Sequence, residues 1–272
     1  MKAFLLSAGL GTRLKPLTDD IPKCLVDVCG KPLLYIWLDL LEREGVDEVL
    51  INTHYFADKV EEAVMKRVNK IKVVLFYEEV LHGSGGTILM NEDFVRNEKE
   101  FFFIFADNLS NVSLKKIRDF HVKNHSLFTT YVYRTDVPKQ KGIFVADENG
   151  KVLDFEEKPM LPKSDLASAG IGVLSAEVFE IFKSSDKEEL RVESLESKVK
   201  NGDYVKDSPP WRGTAEPGGG SHVKVIDFGK DIMPKLINNM YVMETSDYIR
   251  DIGTMRDLEE AREEFSQLRV KS

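Results

Sequence analysis

The stretch Gly9-Leu10-Gly11-Thr12-Arg13-Leu14-Lys15-Pro16-Leu17-Thr18, with Pro22-Lys23 just behind it, is the part of this chain most suited to chemistry. It follows a short apolar run, Ala3–Leu6. A strand that breaks into Gly9, Gly11 and Thr12 presents bare backbone N–H groups where an anion can sit. Arg13 adds a fixed fork of donors suited to phosphate oxygens. Two better-known phosphate loops do not fit. The dinucleotide fingerprint needs a third glycine where this chain has Leu14, and the Walker A loop needs Gly-Lys-Ser/Thr after four spacers. Gly-x-Gly alone is as consistent with a tight turn; the longer run through Lys23 is far more restrictive.

Three other stretches carry candidate groups. Glu78 precedes Gly83-Ser84-Gly85-Gly86-Thr87, a glycine turn opening a helix. It is either a contact for an anion or a base, or simply a loop with a helix cap. Asp107 follows the apolar run Phe101–Phe105, so its carboxylate falls at the carboxyl edge of a sheet, where open α/β folds bind ligands. By itself it is equally a turn former. Glu156-Glu157-Lys158 puts acid beside base on a strand, which without context reads as a solvated edge. His54, His121, His125 and His222 show neither ligand spacing nor a triad pattern, Cys24 reads as small packing filler, and Phe101–Phe105 reads as core rather than a stacking platform.

The elements that must position these groups follow from the apolar pattern. Ala3–Leu6, Val49–Asn52, Lys72–Tyr77, Phe101–Phe105 and Phe128–Tyr133 are nearly all apolar, as strands covered on both faces are. Helix-length stretches lie between them: Leu33–Glu44, Asp58–Val68, Thr87–Arg96 and Ser113–Asn124. The alternation predicts an α/β fold, a Rossmann-like mixed, mostly parallel sheet flanked by helices. After Tyr133 the rhythm changes, with strands expected at Lys151–Phe155 and Ile171–Leu174. Met255, Leu258, Ala261, Phe265 and Leu268 recur at helical spacing and predict a closing amphipathic helix. Residues 207–221, rich in Pro and Gly, read as a flexible surface loop, with a lid carrying Trp211 and Arg212 as the less favoured reading.

The bulk numbers narrow the class. A net charge of -8 without a basic stripe argues against a nucleic-acid partner. No stretch approaches the roughly 20 apolar residues of a membrane span. The run from Met1 to Leu6 stops at Ser7, so a buried strand is expected rather than a leader. Two cysteines with four residues between them, Cys24 and Cys29, lack zinc spacing or disulfide density, so a reduced, cytoplasmic protein is expected.

From Lys2 to about Glu260 the chain resembles the sugar-phosphate nucleotidylyltransferases, the glucose-1-phosphate thymidylyl- and mannose-1-phosphate guanylyltransferase group. The resemblance implies that Arg13 binds the β,γ-phosphates and that Lys23 touches the α-phosphate. The backbone at Ala8 and Gly9 would lie along the base, with Glu78 reading its edge beside the Gly83-Ser84 loop. His82 and Ser84 stand where relatives often carry Leu and Thr. Asp107 and Asp251, the latter in Arg250-Asp251-Ile252-Gly253-Thr254, would hold Mg²⁺ with nucleotide phosphates and water. Ile249 departs from the aromatic residue common two positions before that Asp. Glu157 would accept from sugar hydroxyls, Lys158 would hold the sugar's phosphate, and the Gly142 and Gly170 backbones would line the ring.

The partners so implied are a nucleoside triphosphate and a sugar 1-phosphate, with no nucleic acid and no membrane; a homo-oligomer is left open. One domain over residues 1–272 is expected: a nucleotide half to about 135, a sugar-phosphate half over 136–255, and a closing helix over 256–272. With the sequence running to Ser272, the left-handed β-helix some relatives append is not expected. The Val49–His54 stretch leans toward guanylyl transfer to mannose or heptose 1-phosphate, whereas the Glu157-to-Ser164 run looks more like the thymidylyl branch. A glycosyltransferase of related fold would carry Asp-x-Asp where this chain has Asp107-Asn108-Leu109. A sensor that only binds nucleotide would have lost one of the phosphate or metal residues.

Overall fold

The computed structural model describes residues 1–184 and 225–271. The loop expected at 207–221, with Trp211 and Arg212, lies outside the described residues, as does His222. Thirteen strands are described: β1 Lys2–Leu6, β2 Asp27–Val28, β3 Lys31–Pro32, β4 Glu48–Thr53, β5 Lys72–Tyr77, β6 Glu100–Phe105, β7 Asn108–Ser110, β8 Phe128–Arg134, β9 Gly142–Ala146, β10 Val152–Glu157, β11 Leu166–Ser175, β12 Met240–Glu244 and β13 Ile249–Asp251. The α-helices are α1 Leu33–Arg43, α2 Ala57–Lys66, α3 Gly83–Met90, α4 Leu114–Lys123, α5 Val178–Ser184, α6 Met233–Leu236 and α7 Met255–Lys271.

The strands read as continuous apolar runs because successive side chains enter two different cores. Ala3 and Leu5 join the layer holding Trp37 of α1, Val60 of α2, Ile117 of α4 and Leu258 of α7. Phe4 and Leu6 join the opposite layer, with Ile88 of α3, Phe179 of α5 and Met233 of α6. One sheet therefore separates two layers of helices, as the alternation predicts.

Strands β5, β4, β1 and β6 are parallel neighbours, and β11 then pairs antiparallel with β6. Beyond β11 the sheet continues antiparallel through β9 and β10; β8 also pairs with β11, and β12 lies parallel to β8. Leu6 is level with Asn52 and Phe105, and Thr53 with Tyr77, so the parallel strands end together. Their carboxyl ends release Ser7–Arg13, His54, Glu78 and Asp107 at one edge.

Two expected elements differ. The helix expected over Thr87–Arg96 instead runs Gly83–Met90 and is followed by a separate turn, Glu92–Val95. Its glycines are poor helix formers, but tertiary packing overrides propensity here. The Gly85 and Gly86 N–H groups donate to Ile226 O at 2.9 and 3.2 Å. Gly83 has φ +79° and would place a Cβ 2.4 Å from the same oxygen. The strand expected over Ile171–Leu174 extends to Leu166–Ser175, with a register break against β8 between Ser168 and Gly172.

Candidate functional site

At the carboxyl edge lies a cleft of about 370 Å³ whose walls include Ser7, Ala8, Gly9, Lys23, Asn52, Glu78, Gly83, Ser84, Thr87 and Asp107. Its floor is a polar network. The Ser7 N–H donates to Asn52 Oδ1 (2.7 Å) and the Ser7 hydroxyl to Asn52 O (2.6 Å). Glu78 is only 1% exposed. Burying a carboxylate is costly unless its oxygens are satisfied. Here Asn52 Nδ2 (2.8 Å) and the Thr87 hydroxyl (2.6 Å) donate to Oε1, and the His82 N–H donates to Oε2 (3.0 Å). The Glu78 carboxylate thus braces the loop against two strands. Ser84 Oγ accepts from the Phe228 N–H at 2.8 Å and tethers the segment after residue 225.

The glycine loop leaves β1 at Leu6 and closes on itself, with Gly11 O accepting from the Leu14 N–H (2.9 Å) and the Thr18 hydroxyl (2.8 Å). This turn exposes Thr12 and Arg13. Arg13 makes no ion pair among the described residues. Its guanidinium packs beside Gly253, where an added Cβ would lie 3.2 Å from Nη1.

Behind the loop runs a row of alternating charges. Lys23 Nζ lies 2.9 Å from Asp107 Oδ2 and 3.8 Å from Asp251 Oδ1, and Lys141 Nζ lies 2.9 Å from Asp251 Oδ2. Short strands assemble it: β13 pairs with β7 so that Asp251 faces Asn108, and the Ile252 N–H donates to Asp107 O at 3.0 Å. Trp37 Nε1, fully buried in α1, donates to Asn108 O at 2.7 Å and pins the same turn from below. Burial raises the Asp251 carboxyl, but Lys141, Lys23 and Arg13 outweigh it and hold it below its ordinary value.

This arrangement bears on the implied Mg²⁺. No cluster of three His, Cys, Asp or Glu side chains with metal-binding geometry occurs among the described residues. The oxygens of Asp107 and Asp251 do converge on one cation, the Lys23 ammonium, and Asp251 Oδ1 is buried without a hydrogen-bond donor. A two-carboxylate donor set suits Mg²⁺, which keeps several waters and binds through one or two carboxylates plus substrate phosphates. The residues fit.

On the antiparallel side, Glu157 of β10 stands opposite Gly142 of β9. The approach is so close that a Cβ at Gly142 would lie 2.6 Å from Glu157 Oε2. Burial raises the Glu157 carboxyl most, with Lys158 opposing and Asp227 adding to the rise. Lys158 has φ +53°, and its side chain is 63% exposed, with Nζ 3.9 Å from Glu157 Oε1. Gly170 sits at the β11 irregularity, its N–H donating to Ser168 Oγ at 3.2 Å. The charge row and the paired β9 and β10 strands bring Arg13, Lys23, Asp107, Glu157, Lys158 and Asp251 to one edge.

Sequence reasoning missed Ser7, Asn52 and Lys141. An amide ending an apolar strand was a usable signal for Asn52. Lys141 adjoins Gly142, but its partner is 110 residues away. His121 is structural: Thr129 Oγ1 and Ser175 Oγ each lie 3.0 Å from its ring nitrogens, and burial lowers it to about 4. Burial pushes the Cys24 thiol up to about 12, consistent with packing filler.

A family model described as nucleotidyl transferase matches residues 2–267. The chain is 30% identical over 203 residues to a Xenopus tropicalis protein named mannose-1-phosphate guanylyltransferase catalytic subunit beta, covering 73% of this chain and 55% of that one. It is 32% identical over 204 residues to mannose-1-phosphate guanylyltransferase 1 of Arabidopsis thaliana, with the same coverage of 73% and 55%. The chain thus spans about half the length of these curated relatives. Among solved structures, HddC from Yersinia pseudotuberculosis complexed with GMP-PN superposes with a TM-score of 0.70 at 26% identity, covering 97% of this chain and 99% of that one. With a match over nearly the whole sequence, and a fold shared with a solved structure, the chain belongs to the nucleotidyl transferase family.

Proposed function

We propose that this protein transfers a nucleotidyl group from a nucleoside triphosphate to a sugar 1-phosphate, releasing pyrophosphate, with GTP and mannose or heptose 1-phosphate as its substrates. The observation that carries the reading is the convergence of Arg13, Lys23, Asp107 and Asp251 at the cleft, with Lys141 joining Asp251 to Lys158 and, through Gly142, to Glu157. The preference for guanine rests on the names of the curated relatives and on the nucleotide in the HddC complex.

A phosphate oxygen of the sugar 1-phosphate attacks the α-phosphorus in line, a new P–O bond forms, and the bond to the β-phosphate oxygen breaks. The nucleophile is already an anion, so no general base is required, in keeping with a structural His121. The obstacle is repulsion between two polyanions, which positioning and fixed cations offset. Exposed Arg13, with no described ion-pair partner, is free to take the β,γ-phosphates and stabilise the leaving group. Lys23 turns from the carboxylates to the α-phosphate. Asp107 and Asp251 would hold Mg²⁺, which would supply charge neutralisation to the triphosphate. Glu157 accepts from sugar hydroxyls, Lys158 holds the sugar's phosphate, and the backbones at Gly142 and Gly170 border the ring. Ala8, Gly9, Gly83 and Ser84 border the base, with Glu78 bracing that wall.

The protein is expected to work as one unit over residues 1–272 in the cytoplasm. No described helix is long and apolar enough to cross a membrane. The test is a pyrophosphate-release panel crossing GTP, UTP, dTTP, CTP and ATP with several sugar 1-phosphates. Release only with GTP and mannose or heptose 1-phosphate is expected. A glycosyltransferase would release no pyrophosphate from these pairs and would instead free a nucleoside diphosphate from a nucleotide sugar supplied as donor.

A further inference from the structure

The geometry assigns Lys141 as a positioning residue that couples the metal carboxylate Asp251 to the sugar-phosphate side of the site. This rests on the nucleotidyl-transfer reading above. Three contacts carry it. Lys141 Nζ lies 2.9 Å from Asp251 Oδ2, so that carboxylate cannot rotate freely and its other oxygen, the buried Oδ1 without a donor, is aimed toward Lys23 and Asp107. Lys141 O accepts from the Lys158 N–H at 3.0 Å and holds that residue's left-handed backbone at φ +53°. The next residue, Gly142, is the cross-strand partner of Glu157. One residue therefore joins the metal side by its side chain and the sugar side by its backbone.

Lys141 is suited to this because it is restrained. Its side chain is 22% exposed and its partner carboxylate 29%. A carboxylate that binds a metal with one oxygen needs its other oxygen fixed, and losing such a supporting partner typically costs roughly 10–100-fold in metal affinity or activity. Of the two lysines beside Asp251, Lys141 lies the closer, at 2.9 Å against 3.8 Å for Lys23, and is the cation that keeps the carboxylate in place when Lys23 engages phosphate.

The test is a double-mutant cycle of Lys141→Met with Asp251→Asn, with Lys141→Arg as the conservative variant. Mn²⁺ binding is read from loss of the free-ion EPR signal with a non-hydrolysable GTP analogue present, and kcat and KM are read separately. Lys141→Met should weaken Mn²⁺ binding and lower kcat by about tenfold each. Lys141→Arg should recover most of both. In the Asp251→Asn background, Lys141→Met should change either quantity less than about twofold, because residues acting through one another are not additive. An equal loss in both backgrounds, or tighter Mn²⁺ binding in Lys141→Met, overturns the assignment. Circular dichroism of Lys141→Arg and Lys141→Met separates misfolding from lost positioning. A wild type that releases no pyrophosphate would sink the nucleotidyl-transfer reading instead, while the Mn²⁺ cycle would still report on Lys141.

Discussion

The two sides of the cleft solve opposite problems. Under the glycine-loop wall, Ser7, Asn52, Glu78 and Thr87 bond to one another in a largely buried network. Toward Arg13 and Lys158, charges stand incompletely paired: among the described residues Arg13 has no ion partner and Asp251 Oδ1 no donor, and Lys158 is mostly exposed. A finished network resists change and so fixes a shape. Unspent charge costs energy while it stands unpaired, and on the proposed reading that cost is recovered when a polyanion and a metal arrive. The contrast separates the part that holds the site's form from the part that does its chemistry.

The largest expected effect lies on the charged side. Arg13→Ala and Asp107→Ala should each lower kcat by about 10²-fold or more, the usual cost of one lost transition-state contact. Near-normal turnover in either variant would remove it from the reacting centre. Next comes Lys158→Ala, expected to raise the KM for sugar 1-phosphate about tenfold while the KM for nucleotide holds, since a lost charged hydrogen bond is worth about 1.5–3 kcal/mol. Equal changes in both constants would blur the two sides.

On the braced side, Asn52→Ala strips a donor from buried Glu78 and should cost about 1–3 kcal/mol of stability in denaturant melts, with only a modest change in kcat. A large kcat loss at unchanged stability would make the network catalytic rather than architectural. The smallest effect on turnover belongs to His121→Gln. Burial lowers His121 from 6.5 to about 4, so the fold prefers its neutral ring. Its contribution is complete above pH 6.5 and is lost as the pH falls from there toward 4, because the unfolded chain binds the proton first. The substitution should flatten the stability profile across that window and leave neutral-pH activity alone; an unchanged profile would refute the burial argument.

The parallel half of the fold was legible because its strands are covered on both faces, so Phe101–Phe105 and Val49–Asn52 announce themselves by composition. The candidate residues on short local motifs were legible too. What escaped depends on contacts distant in sequence. Gly83–Met90 is helical because Ile226 approaches the glycines, and no local propensity encodes that. The full length of β11 depends on pairing with three strands across an irregular register. Lys141 acquires its meaning only when β13 delivers Asp251, and Asn52 only when β5 delivers Glu78.

The central claim is attack on the α-phosphorus across this cleft. The most direct measurement follows the label from GTP marked at its α-phosphate, mixed with mannose 1-phosphate and enzyme. The account predicts that the label appears in a nucleotide sugar, with one unlabelled pyrophosphate released per label transferred. Label recovered as GDP with free inorganic phosphate, or as GMP with no sugar attached, would contradict it.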